Sequence, residues 1–261
     1  ARLWSLDDPY LYALTVTLME DGQVVDRYAL DVGIRTVEVR DAALLLNGEP
    51  VELRGFGRHE DFYVSGRGLN EPLIVKDYGL MKWVGANSYR TSHYPYSEEE
   101  MRMADREGML VIDEIPAVGL SFDDEEADIE ARLAQCQTQV RELIARDKNH
   151  PAVIMWSVAN EPMPPHRLAA LTGQEAAPVP PESTAFLRTL HELARDLDPT
   201  RPVTHAGVHG CPIEWLELAD VVSINRYYGW YVRAGHPAQG AVLLEEELDR
   251  LYEALQRPMI V

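Results

Sequence analysis

Asn160 and Glu161 stand side by side after the apolar run Val153-Ile154-Met155-Trp156 and directly before Pro162. The run is short enough for a buried strand. Proline has no N–H to give a ladder, so Pro162 ends that strand or opens the loop after it. The pair is therefore expected at a strand's C-terminal end, where α/β barrels carry their chemistry. A carboxyl next to a run that holds Trp156 has the apolar surroundings a general acid needs. The competing reading is that Glu161 caps the next segment or pairs with an arginine.

Other chemistry-bearing residues fall at other predicted strand ends. They are Arg58, His59, Glu60 and Asp61; Arg90 and His93; Asp113 and Glu114; His205; and Asn225, Tyr227 and Tyr231. In a barrel these converge on one mouth. Carboxylates, amides, arginine, histidine and several aromatics suit a sugar, which has apolar ring faces and a rim of hydroxyls. Any one of them alone is more simply structural. Metal-dependent hydrolysis is the rival chemistry, with His59, His93, His205 and Asp113 as conceivable ligands. No His-x-His or His-Glu-x-x-His supports it, and the histidines sit on separate strands.

The elements that must position these residues change character along the chain. Residues 10–19 alternate apolar and polar, Asp21-Gly22 is a hairpin signal, and 23–32 and 34–40 continue as short strands. This reads as the last strands of a β-sandwich. Asn47-Gly48 marks a further tight turn. From about residue 50 strand and helix alternate. Strands are expected over 51–57, 87–93, 110–115, from Val153 to the Asn160-Glu161 pair, over 202–206 and 221–225, and one begins at 258–261. Helices are expected over 74–84, from Ser97, and over 129–146, 183–196, 213–218 and 241–255. Glu98, Glu99 and Glu100 in the first turn after Ser97 read as complement to the helix dipole. Residues 163–181 read as a loop insertion with a single helical turn. The alternation implies a parallel sheet with right-handed crossovers. Polar residues at successive strand ends favour a (β/α)8 TIM barrel, incomplete at about six and a half units, over a doubly wound sheet. No Gly-x-Gly-x-x-Gly opens a helix, which disfavours dinucleotide binding. The expected division is 1–40 for the sandwich strands and 41–261 for the barrel.

The net charge of −19 argues against a nucleic-acid or anionic-membrane partner, since phosphate binding needs a basic footprint. Apolar residues make up 46%, enough for a sizeable core. Cys136 and Cys211 are far apart and in no ligand spacing, which favours a reduced, cytoplasmic setting. No signal peptide or spanning apolar run is evident. Ala1 is not a start residue and the first residues already read as mid-domain. The chain is thus expected to be a fragment cut at both ends, poorly folded and inactive by itself.

Five stretches carry a resemblance. Gly-Phe-Gly-Arg-His-Glu-Asp (55–61), Gly-Ala-Asn-Ser-Tyr-Arg-Thr-Ser-His-Tyr-Pro-Tyr (85–96), Ala-Arg-Asp-Lys-Asn-His-Pro (145–151), Trp-Ser-Val-Ala-Asn-Glu-Pro (156–162) and Asn-Arg-Tyr-Tyr-Gly-Trp-Tyr (225–231) resemble glycoside hydrolase family 2. Within it they are most similar to the β-glucuronidase branch. Leu3-Trp4-Ser5 with Asp8-Pro9-Tyr10-Leu11-Tyr12 is similar to the end of that family's immunoglobulin-like domain. The resemblance implies a retaining β-glycoside hydrolase that needs no cofactor and acts on a small glycoside, homo-oligomeric when complete. Glu161 would be the acid/base, and Asn160 would hold the sugar's 2-hydroxyl. Asp61 and His93 would bind hydroxyls. Asn225, Tyr227 and Tyr231 would line the site, with Tyr227 bonded to the nucleophile and Arg90 supporting its charge. The nucleophile, a Glu, and the Asn-x-Lys element that reads a glucuronate carboxylate would lie past Val261. The alternatives are a β-galactosidase-type member of the family, or a carbohydrate-binding protein without turnover if the chain natively ends at Val261.

Overall fold

The computed structural model describes residues 1–164 and 178–261. Residues 165–177, most of the segment read as an insertion, lie outside the described residues.

Strands β1 (Tyr12–Glu20) and β2 (Gln23–Val32) form the expected hairpin. Asp21 at φ 48° and Gly22 at φ 78° both take the left-handed conformation its two-residue turn demands. Leu14, Val16, Leu18, Val24 and Tyr28 are exposed on this ribbon. Strands β3 (Val37–Arg40), β4 (Ala43–Leu46) and β5 (Glu49–Pro50) make an antiparallel meander. The register runs from Val37↔Leu46 to Arg40↔Ala43, so residues 37–40 join the segment that follows them and not the hairpin before.

Among the described residues the main sheet has seven strands: β6 (Gly55–Arg58), β7 (Ser88–Thr91), β8 (Leu110–Glu114), β9 (Val153–Asn160), β10 (Val203–Gly207), β11 (Val222–Ile224) and β12 (Met259–Ile260). They lie in chain order, and every neighbouring pair is parallel. Sequential order with parallel pairing is the winding of a TIM barrel. The crossovers hold α1 (Glu71–Trp83), α2 (Glu98–Glu107), α3 (Glu126–Asp147), α4 (Pro181–Leu197), the short α5 (Ile213–Leu216) and α6 (Pro237–Leu255). β9 is buried at every residue, which is why it reads as a near-continuous apolar run. Val140, Leu143 and Ile144 of α3 and Phe186, Leu187 and Leu190 of α4 share its core.

β6 begins later than its sequence suggests. The Asn87 side chain bonds the backbone of the preceding stretch, accepting from Arg54 N at 2.7 Å and donating to Glu52 O at 2.8 Å. Gly55 then lets β6 pass close to β7, since a Cβ there would lie 1.7 Å from Ser88 O. Ser97 caps α2, its Oγ accepting from Glu100 N at 3.2 Å. Glu98 and Glu99 sit on the surface of the first turn as expected, whereas Glu100 is buried and takes Arg58 Nη1 at 2.7 Å. Arg58 lies over the rings of Tyr78, Tyr89 and Tyr96. Burial pushes the Glu100 carboxyl up to about 7, against the pull of Arg58.

Within the motif 145–151, Asp147 reaches Asp113 and Arg146 donates to Tyr96 O at 2.8 Å, while His150 and Pro151 work at the opposite end of the strands from the polar clusters. His150 Nδ1 lies 2.6 Å from Asp105, and Arg35 donates to Pro151 O and Val153 O at 2.9 and 2.5 Å. Trp4 is fully buried, its indole N–H bonding Asp105 O at 2.8 Å. Trp4 and Arg35 thereby dock the N-terminal segment on the base of the barrel.

Candidate active site

A register change in β9 brings Asn160 into the site. Across β10, Thr204 pairs with Ser157 but Ala206 with Asn160, so three residues of β9 advance against two. Such a bulge re-aims the residues beyond it. Strict alternation would put Ser157 and Asn160 on opposite faces, yet both reach the same cluster. Glu161 follows with its N–H on Ala206 O at 2.8 Å and a left-handed backbone, φ 48°. That conformation is unfavourable for a residue with a Cβ and recurs where a site holds a side chain in place.

Arg90 of β7 is the hub. It donates from Nη1 to Glu114 Oε2 at 3.1 Å and Asn160 Oδ1 at 3.2 Å, and from Nη2 to Asn225 Oδ1 at 3.3 Å. Asn225 Nδ2 donates on to Asn160 Oδ1 and Glu161 Oε1, both at 3.0 Å. The Tyr227 hydroxyl also donates to Glu161 Oε1. Burial and this bond to Glu161 push Tyr227 up to about 12, so it stays a donor at neutral pH. Among the described residues, no hydrogen bond reaches Glu161 Oε2 or Asn160 Nδ2. Arg90, His93, Asn225, Tyr227 and Trp230 line a cavity of about 650 Å³ within the curl of the sheet.

The structure thus brings together Arg90, His93, Asn160, Glu161, Asn225 and Tyr227. Tyr227 has Glu161 as its partner here, where a bond to a second carboxylate was expected. Tyr231 stands beside this group, 5.2 Å from the Tyr227 ring and stacked on Trp230 at 4.6 Å, with both outer rings well exposed. Asp61 is apart from it. β6 ends at Arg58, the chain turns back through the Phe62–Gly66 bridge, and Asp61 lies on the surface with Arg67 at 3.1 Å.

Trp156 does not wall the acid. Its indole N–H bonds Asp198 Oδ2 at 3.0 Å on the helix side of the sheet. His205 also faces that side, 3.0 Å from His191 Nε2, and its burial pushes it down to about 4. Asp113 is buried against Thr91 at 3.0 Å and is raised well above the usual carboxylate range by burial and by Asp147. Of the conceivable metal ligands only His59 and His93 meet, edge to face, and among the described residues no three His, Cys, Asp or Glu side chains are placed to hold a metal. Sequence reasoning missed Ser157, which donates to Glu114 Oε2 at 2.6 Å, and Trp230 in the cavity wall. The available signals were a serine inside an apolar strand and a tryptophan between two site tyrosines.

A parallel barrel sheet with an Asn-Glu pair at its fourth strand end, braced by arginine, amide and tyrosine, is the scaffold of a carbohydrate-active TIM-barrel domain. Residues 37–261 match the model of the glycosyl hydrolases family 2 TIM barrel domain, and residues 1–35 match a second model of glycosyl hydrolases family 2. The chain belongs to glycosyl hydrolase family 2. It is 42% identical to a β-glucuronidase of Paenibacillus borealis, over 100% of this chain and 43% of that protein. With a β-glucuronidase of Streptococcus agalactiae it shares 43% identity, over 95% of this chain and 41% of the relative. The structure of β-D-glucuronidase from Dictyoglomus thermophilum superimposes with a TM-score of 0.89 at 40% identity, covering 100% of this chain and 44% of that one. That of Bifidobacterium dentium β-glucuronidase complexed with coumarin-3-O-glucuronide gives 0.89 at 40% identity, covering 99% and 41%. The chain therefore spans about two fifths of the length of these relatives.

Proposed function

We propose that the protein carrying this chain is a retaining β-glycosidase that hydrolyses β-D-glucuronides, with Glu161 as general acid/base. The observation that carries the reading is the Glu161 carboxyl, fixed through Oε1 by Asn225 and Tyr227 with no bond to Oε2 from the described residues. The β-glucuronidases among its relatives support the choice of sugar. In this reading Glu161 protonates the leaving oxygen, then as carboxylate takes a proton from the incoming water. Asn160 Nδ2 donates to the 2-hydroxyl, a contact that strengthens as the oxocarbenium-like transition state forms. Arg90 and His93 border the sugar and Tyr231 is assigned to its outer edge, while Asp61, held on the surface by Arg67, is given no contact with it. The nucleophile is a second carboxylate roughly 5–5.5 Å from the acid; the family resemblance assigns it to a Glu past Val261.

The test uses the full-length protein and an aryl β-D-glucuronide. Glu161→Gln is expected to lower kcat by about 10²–10⁴-fold with the fold intact. Azide should then restore turnover and give the β-glucuronyl azide, because a small anion needs no base. Wild-type rates for the variant overturn the acid/base assignment. A preference of the wild type for β-galactoside over β-glucuronide overturns the sugar.

A further inference from the structure

Glu114 is a carboxylate that the proposed chemistry leaves without a task. Its side chain is fully buried, at 0% exposure. Three donors saturate it: Arg90 Nη1 at 3.1 Å and Ser157 Oγ at 2.6 Å on Oε2, and His93 Nδ1 at 2.7 Å on Oε1. It does not line the cavity, while two of those donors, Arg90 and His93, do. The Glu114 backbone is fixed as well, its N–H bonding Thr91 Oγ1 at 2.8 Å.

We propose that Glu114 is a positioning residue, which sets the hydrogen-bonding state of His93 and the plane of Arg90 for the substrate. A carboxylate only accepts, so Nδ1 of His93 must carry the hydrogen. In the neutral ring Nε2 is then the acceptor, free to take a hydrogen from a sugar hydroxyl. Glu114 also holds one arm of Arg90, and the remaining N–H groups of Arg90 orient Asn160 and Asn225. Asn225 in turn holds Glu161, so Glu114 reaches the acid through two intermediates. Glu114 itself is neither acid nor nucleophile, since its oxygens are occupied and sealed from the cavity.

This rests on the glycosidase reading, so it is tested only in a full-length protein whose wild type hydrolyses an aryl β-D-glucuronide. An inactive wild type would fail that reading, not this one. Glu114→Gln keeps the shape but turns an amide N–H2 toward one of the donors. It is expected to lower kcat/KM about 10- to 100-fold, with KM raised at least about fivefold. A residue that only supports the fold would reduce the active fraction and leave KM in place. In a His93→Gln background the further loss from Glu114→Gln should shrink to a fraction of its value in wild type, because the two act through one contact. Full additivity with His93→Gln, or an unchanged KM, overturns the proposal. If Glu114→Gln does not fold, Ser157→Ala decides. It removes one donor from Glu114 and is expected to raise KM a few-fold, with a lowered melting temperature that still leaves the protein folded at the assay temperature. Wild-type constants for Ser157→Ala would overturn the proposal.

Discussion

At the scale of single residues, the site assigns opposite hydrogen-bonding duties to neighbouring groups. Tyr227 is held protonated, pushed up to about 12 by burial and by the carboxylate it serves, and Glu161 is the acceptor of that pair. Replacing Tyr227 by Phe removes a charge-assisted donor and leaves its ring in place. Such bonds contribute about 1.5–3 kcal/mol. The variant is therefore expected to lose about 10- to 100-fold in kcat/KM toward an aryl glucuronide, with its melting temperature almost unchanged. Steady-state kinetics beside a thermal melt checks both halves. Asn225 has two donor bonds and one acceptor bond, so its amide orientation is fixed by its partners Arg90, Asn160 and Glu161.

At the scale of elements, the buried Arg58–Glu100 pair joins β6 to α2 inside a ring of three tyrosines. Arg58 also holds Asp77 Oδ2 through Nε at 2.6 Å, so removing Glu100 leaves its charge half-paired, at a cost of about 1.5–3 kcal/mol. Glu100→Ala is expected to destabilise the full-length protein by that order in chemical denaturation, whereas Glu99→Ala on the exposed side of the same turn should change it little. The sequence made α2 and its Ser97 cap legible, but the separation of Glu100 from Glu98 and Glu99 depends on where the helix faces. The same divide runs through the site. Strand order, parallel pairing and the Asn160-Glu161 pair follow from local apolar runs and the proline after them. The bulge that turns Asn160 inward is a mismatch between two strands, and one strand's pattern cannot contain it. His205 shows the converse: expected at a strand end, it lies mid-strand in β10 with its side chain on the helix face, where His191 meets it.

At the scale of the whole molecule, two buried imidazoles tie stability to pH. Burial lowers His205 to about 4 and His191 well below its ordinary value, with the neighbouring His205 adding to the shift of His191. Both rings must be neutral in the folded state, while the unfolded chain takes up protons near pH 6.5. The stabilisation is complete above about pH 6.5 and is lost as pH falls toward 4, by at most about 3 kcal/mol for His205. His205→Asn should flatten that part of the stability curve relative to wild type. Equal slopes between pH 6.5 and 4 in paired denaturation curves would refute the assignment. Such a difference measurement cancels the titration of the many surface carboxylates behind the net charge of −19.

The left-handed backbone of Glu161 has a bearing on how such a chain could be improved or worn down. Glycine or asparagine would occupy that backbone with less strain, so the proposed acid sits where a more stable protein would not have placed it. Selection for heat resistance alone, natural or in the laboratory, would meet this position as an easy gain and, on the proposed role of Glu161, would take the activity with it. Any programme of thermal hardening should therefore screen turnover at each round, because here the two properties are traded at one residue.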